Sequence, residues 1–260
     1  MNHAIDWTNT PAAIWRGESR GFKIARRLDP VRLDELLFID RQKSLLLSNT
    51  RRFLAGAPSN HALLWGQRGC GKSTLIKAVF NELKESGLRL IEVDRGALAD
   101  LPLIADAIEA TPFRFIVFCD DLSFENDERG YKGLKRILEG SIELPPENLR
   151  IYATSNRRHL VSESLSDNDG AIVAGTQGEL HYADVVEEKL SLSDRFGLTL
   201  SFYSDTEEHY LALIERHFAG YTGDLDALRL EAKRFAQQKA SRSGRTAKQF
   251  IGWFEATPKG

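Results

Sequence analysis

Cysteine is scarce in this chain, with two residues in 260. That number excludes a disulfide framework. Cys70 lies in a glycine-rich loop and Cys119 ends an apolar run, both positions expected to hold reduced thiols. Long hydrophobic runs are missing too. Met1 to Thr10 is acidic and polar where a secretion signal needs an apolar stretch, and no later run approaches membrane-spanning length. A cytoplasmic protein with no membrane partner is expected. Neither sign of charge dominates: net charge is -2 and the pI about 6.3. No global field therefore draws the chain to nucleic acid, and any such contact must be local. The six histidines show no metal-ligand spacing. Asp167-Asn168-Asp169-Gly170 opens like a calcium loop but lacks the remaining ligands. Internal repeats and low-complexity tracts are absent.

What is present is 42% hydrophobic and 28% charged residues, enough for one large domain and a small one. The most specific stretch is Gly66-Gln67-Arg68-Gly69-Cys70-Gly71-Lys72-Ser73-Thr74, a complete G-x-x-x-x-G-K-[ST] loop. Before it, His61 to Trp65 is short and apolar. After it, Leu75, Ile76, Val79, Phe80 and Leu83 repeat every three to four residues. That is strand, glycine loop, amphipathic helix. Consecutive backbone N–H groups of such a loop form an anion nest, and the helix N-terminus adds partial positive charge. Lys72 is expected to reach the β- and γ-phosphates of a nucleotide and the Ser73 hydroxyl to ligate Mg²⁺, with Thr74 the next helical residue.

The rest of the chain alternates strands and helices. Leu33 to Phe53 is helical in pattern and stops at Gly56-Ala57-Pro58. Leu88 to Val93 reads as a second strand and Leu98 to Ala110 as a helix. Phe113 to Cys119 is a third strand whose unbroken apolar character marks burial on both faces, as in a parallel sheet. A helical segment, Glu125 to Gly140, leads through Pro145-Pro146 to a fourth strand, Leu149 to Thr154. Leu198 to Tyr203 supplies a fifth. The pattern predicts a doubly wound α/β fold with a five-stranded parallel sheet and its ligand crevice at the carboxyl edge. After Asp205 only helices remain: Thr206 to Phe218, Asp224 to Ala240 and Thr246 to Phe254. The expected division is an N-terminal arm over 1–32, a nucleotide-binding α/β domain over 33–203 and a small helical lid over 204–260.

Asp120 and Asp121 follow the third strand directly, which puts two carboxylates on the ligand edge beside the phosphate loop. Asp120 is expected to hold Mg²⁺ through water, and Asp121 to orient or activate the attacking water. Asn156 closes the fourth strand on the same edge, with an amide for the γ-phosphate or its water. The arm interleaves Trp15 and Phe22 with Arg16, Arg20, Lys23, Arg26 and Arg27. That pattern suits single-stranded nucleic acid, or an arm that packs its rings on the core and solvates its charges.

In this order the motifs resemble the AAA+ ATPases: the loop from Gly66 to Thr74, Phe115 to Asp121 as Walker B, and Asn156 as sensor 1. Two further signatures match. Ser193-Asp194-Arg195-Phe196-Gly197 precedes the fifth strand, where that superfamily carries an arginine finger. Ser243-Gly244-Arg245 opens the last helix, where it carries the sensor 2 arginine. More narrowly, Leu33 to Leu37, Ile39 to Lys43, Tyr152 to Leu160 and Glu188 to Gly197 look like the bacterial AAA+ family called domain of unknown function 815. The resemblance implies that Arg195 acts in trans on a neighbour's nucleotide and Arg245 in cis, with Arg157, Arg158 and Arg242 as alternates. It implies that Leu37, Phe38 and Ile39 flank the adenine. Phe38 stands where the family usually has glycine, and Asp121 where AAA+ proteins most often have glutamate, so basal turnover is expected to be slow. Glu125 is the alternate water-activating group. Asp94 to Pro102 lacks the aromatic-apolar-glycine loop with which unfoldase rings grip polypeptide.

These readings lead to an ATPase that hydrolyses Mg-ATP at the subunit interfaces of a homo-oligomer and remodels or loads an unidentified protein client. DNA loading stays within that reading, although no helix-turn-helix follows the lid. Two rivals stay open: a P-loop small-molecule kinase, and a nucleotide-gated binding or scaffold module with little hydrolysis. The polar stretch from 159 to 193, with a hairpin-like segment at Gly170 to Tyr182, carries no assigned role.

Overall fold

The computed structural model describes residues 5–123, 128–140, 142, 144–156, 192–203 and 206–256. The alternates Glu125, Arg157 and Arg158, the hairpin-like segment and the Asp167 to Gly170 stretch lie outside them.

Among the described residues seven strands form one sheet: β1 (Ala12–Trp15), β2 (Phe22–Ile24), β3 (Ala62–Gly66), β4 (Leu88–Val93), β5 (Arg114–Cys119), β6 (Leu149–Ser155) and β7 (Leu198–Phe202). Their order is β2-β1-β4-β5-β6-β3-β7, all pairs parallel except β1 with β2. The five expected strands are adjacent in it. The expected count of five is corrected to seven, because the N-terminal arm contributes two more. Its short apolar run, Ala12 to Trp15, pairs along the open edge of β4, and β2 turns back against it. Four residues without clear alternation are too short to read as a strand until the neighbouring edge is known.

Helices cover both faces. On one lie α1 (Asp40–Leu54) and α2 (Lys72–Leu83), whose Leu46, Phe53, Leu75, Val79 and Phe80 pack on Leu64, Ile116, Phe118, Tyr152 and Leu200. On the other lie α3 (Leu101–Ile108) and α4 (Glu128–Glu139), with Ile104, Ile108, Leu134 and Ile137 against Phe115, Val117, Ile151 and Ala153. Alternate residues of β5 thus feed opposite cores, which is why its apolar run is unbroken. The rings of Trp7 and Trp15 join the second core, and Trp15 Nε1 donates to Asp100 Oδ2 at 2.8 Å.

The last three helices, α5 (Glu207–His217), α6 (Leu225–Gln238) and α7 (Gly244–Ala256), have a core of their own built from Tyr210, Ile214, Leu228, Ala232, Ala247 and Phe250. Capping explains two of their starts: Thr206 accepts from the His209 N–H, and Asp224 from those of Asp226 and Ala227.

Candidate nucleotide site

The site is built where β3, β5 and β6 end side by side. β3 stops at Gly66, whose φ of 137° and close approach to β7 leave no room for a side chain: a Cβ there would run into the Phe202 carbonyl. The loop then turns through Gly69, at φ 82°, where a Cβ would lie 2.6 Å from Ser243 Oγ of the lid. The glycine loop and the segment before α7 therefore touch through a glycine, and a larger residue would push that segment away.

Lys72, the first residue of α2, is buried and folds back over its own loop. Its Nζ donates to the carbonyls of Gly66 at 2.7 Å and Gln67 at 2.6 Å, and reaches Asn156 Oδ1 at 3.3 Å. Loss of water around the ammonium pulls its pKa below the ordinary lysine value, and the positive charge of Arg245 acts the same way, against the carboxylates of Asp120 and Asp121. A phosphate replacing the two carbonyls would give the ammonium a charged partner.

Beside Lys72, Ser73 Oγ donates to Asp120 Oδ1 at 2.6 Å, and Thr154 Oγ1 donates to the same oxygen at 2.5 Å. The Thr154 hydroxyl also accepts from the Asp121 N–H at 2.9 Å. Asp121 sits at φ 53°, a left-handed conformation that aspartate tolerates better than most residues. Its Oδ1 accepts from Asn156 Nδ2, and Oδ2 lies 3.8 Å from Arg68 Nη2. Lys72, Ser73, Asp120, Asp121, Asn156 and Arg68 thus form one network.

Thr154 stands out in the sequence only as part of a strand end. Thr154 lies two residues before Asn156, which follows β6, and its part in the site depends on the register of that strand, which the sequence alone does not give. Phe38 brings another unforeseen contact. At φ 62° it projects its ring onto His209 of α5, stacked with centroids 3.9 Å apart and planes 10° from parallel. Ile39, next to it, approaches Gly71 of the loop. Leu37 is half-buried on the same stretch. Arg245 Cβ lies 3.4 Å from the position a Gly69 Cβ would take. Between the loop and the C-terminal helices lies a cleft of ≈ 450 Å³ lined by Gln67, Arg68, Cys70, Gln237, Arg242 and Ser243.

Arg195 stands apart from this network. It precedes β7, and the register pairs Leu198 with Ala62 at the start of β3 and Phe202 with Gly66 at its end. Arg195 therefore lies toward the amino ends of the strands, about 13 Å or more along the strand direction from the loop. There its Nη1 pairs with Glu139 Oε1 at the end of α4.

Known proteins resemble the chain to different degrees. The family model described as "Protein of unknown function (DUF815)" matches residues 8–257. The chain belongs to that family. A curated relative, the proteasome-activating nucleotidase of Methanocella arvoryzae, is 28% identical over 201 residues, 69% of this chain. The chain spans only 45% of that protein's length. Among solved structures, one titled as a DNA replication initiation factor superposes with a TM-score of 0.52 at 15% identity, covering 88% of this chain and 65% of its own. A variant of Thermotoga maritima RuvB gives 0.50 at 16% identity, covering 88% and 75%. At such identities the likeness is one of fold. The DUF815 chain thus has the α/β fold of these solved structures with a helical C-terminal region, and its motif order resembles that of the AAA+ ATPases. Among the described residues no helix is long and apolar enough to cross a membrane.

Proposed function

We propose that this DUF815 protein is a cytoplasmic AAA+ ATPase that binds and hydrolyses Mg-ATP at the interfaces of a homo-oligomer, with 33–203 as the nucleotide-binding unit and 204–260 as its lid. The cycle would remodel or load a protein partner. One observation carries the reading: the ends of β5 and β6 hold two carboxylates, a hydroxyl and an amide against Lys72 and Ser73 of a complete phosphate loop.

The residues fit a magnesium nucleotide. Ser73 Oγ and Asp120 Oδ1, 2.6 Å apart, are the hard oxygen donors such an ion takes, and the glycine loop leaves space where side chains would stand. Magnesium, when bound, neutralises charge on the phosphate oxygens. Lys72 exchanges its loop carbonyls for β- and γ-phosphate oxygens. Asp121, aimed by Asn156 and by its left-handed backbone, orients the attacking water, and its carboxylate, one carbon shorter than glutamate's, makes turnover slow. Leu37, Phe38 and Ile39 flank the base, and Arg245 faces the phosphates from the lid. Arg195 serves a neighbouring subunit, a reading supported by its place at the far edge of the sheet from its own loop.

The test is ADP release from protein and Mg-ATP alone, read by thin-layer chromatography, with Lys72→Ala and Asp121→Asn alongside. Wild type makes ADP without an acceptor, which a kinase would not. Lys72→Ala loses nucleotide binding, and Asp121→Asn binds ATP but turns it over about a hundredfold more slowly or worse. Unchanged affinity and turnover in Lys72→Ala would remove the assignment of the site.

A further inference from the structure

β2 ends the sheet. It pairs with β1 on one side and has no strand on the other among the described residues. The Arg16 N–H bonds the Gly21 carbonyl and the Ala25 N–H bonds the Ala12 carbonyl. The register sets Lys23 opposite Ile14. Gly21, Lys23 and Ala25 therefore aim their backbone groups at β1, and by alternation Phe22 and Ile24 aim theirs outward. Beside this edge runs a groove of ≈ 560 Å³ lined by Ile14, Lys23, Ile24, Ala25, Arg26 and Arg27. Ile24 is 48% exposed, and no carboxylate lines the groove. Short length and an edge lysine, both present in the three residues of β2, keep a sheet edge from pairing with its own kind, and the same cations favour an added strand of opposite charge.

From this we infer a docking site for an extended acidic segment of a partner protein, which adds as an eighth strand to β2 with carboxylates toward Lys23, Arg26 and Arg27 and apolar side chains beside Ile24. Cross-strand pairing gives the alternation: a residue opposite Lys23 lies on one face of the sheet and its neighbours on the face of Ile24. Two other occupants fit the observations less well. Nucleic acid would want ring faces for its bases, and the rings of this arm are spent inside: Trp15 is 4% exposed, and Phe22 packs edge-on against it at 4.8 Å. A second copy joined β2 to β2 would set the same cations against one another.

The inference is independent of the ATPase reading, because β2 and β3 lie at separated places in the sheet order and binding is read without turnover. The probe is a fluorescein-labelled peptide of about ten residues alternating glutamate and valine, followed by anisotropy at about 50 mM salt. It should bind with a Kd below about 1 mM, and Lys23→Glu with Arg26→Glu should weaken it at least about tenfold. Ile24→Pro removes an outward N–H together with the isoleucine side chain, breaks no hydrogen bond to β1, and should also abolish binding while ATP affinity stays at the wild-type value. Should Ile24→Pro fail to fold, the same peptide N-methylated at alternate residues tests strand addition on the wild-type protein and should not bind. No binding at about 1 mM overturns the inference. So does binding indifferent to N-methylation, tighter binding of an oligothymidine that displaces the peptide, or self-association abolished by Ile24→Pro.

Discussion

A single hydroxyl shows how tightly the site is composed. Thr154 spends its proton on Asp120 and a lone pair on the Asp121 N–H, so one side chain fixes both carboxylates of the acid pair relative to β6. Replacing it with valine keeps the shape and leaves the Asp121 N–H without its acceptor, at a cost of about 1–3 kcal/mol where water cannot substitute. Asp120 would lose one of its two hydroxyl donors while keeping Ser73. The expected outcome for Thr154→Val is a folded protein with ADP production down roughly tenfold and a raised magnesium requirement, the shift lying in positioning and not in nucleotide affinity without metal. A magnesium titration of turnover decides the matter, since an unaltered midpoint would reduce Thr154 to packing. Asp121 makes the complementary point. Its left-handed φ is visible only in the structure, yet it determines where a short carboxylate can point.

At the scale of elements, β3 is held by groups outside its own ladder. His61, just before it, accepts the Ile151 N–H of β6 at Nδ1 over 2.9 Å, which requires that nitrogen to be unprotonated. Loss of water around the ring, with the positive charge of Arg150 second, pushes its pKa down to about 3. A base depressed in the folded state contributes stability above its unfolded pKa of about 6.5, and loses it as pH falls, because the unfolded chain takes up the proton first. Between about pH 6.5 and 3 the slope from this residue is at most about 1.4 kcal/mol per pH unit. His61→Asn keeps an acceptor near the same place and should flatten the fall in urea midpoint between about pH 6.5 and 5. An equally steep fall in the variant would mean other groups carry it. Elements of this kind were legible in the sequence to different degrees. β4, β5 and β6 were, because short apolar runs bounded by turn residues suit a buried strand and little else, and α2 was, because the glycine loop fixes its start. The arm was not. Its two strands exist only through the edge of β4, and its basic-aromatic interleaving looks the same whether the rings face inward or out. The phosphate loop, the acid pair and Asn156 were readable because their chemistry is tied to strand ends. Thr154 and the stack of Phe38 on His209 were not, since the first depends on register and the second joins residues far apart in the chain.

The whole molecule poses the question of what a single chain leaves incomplete. Its loop, acid pair, Asn156 and Arg245 gather at the carboxyl edge of the sheet, and Arg195 lies toward the other, paired with Glu139. No hinge of the lid brings Arg195 round, because it is fixed just before β7, a strand of the same sheet that carries the loop. If a second chain provides the partner, Arg195→Ala should leave ATP affinity nearly unchanged and lower turnover by about two orders of magnitude or more. Specific activity of the wild type should rise with protein concentration as interfaces form. Mixing Arg195→Ala with Lys72→Ala protein should restore part of the activity: the first supplies an intact loop and the second an intact finger, and a mixed interface holds one complete site. Removing Glu139 separates presentation from chemistry, since Glu139→Gln keeps the charge of Arg195 and weakens only the ion pair that holds it. Turnover that does not depend on concentration, measured on a stable monomer and without rescue on mixing, would leave Arg195 as a partner of Glu139 and nothing more.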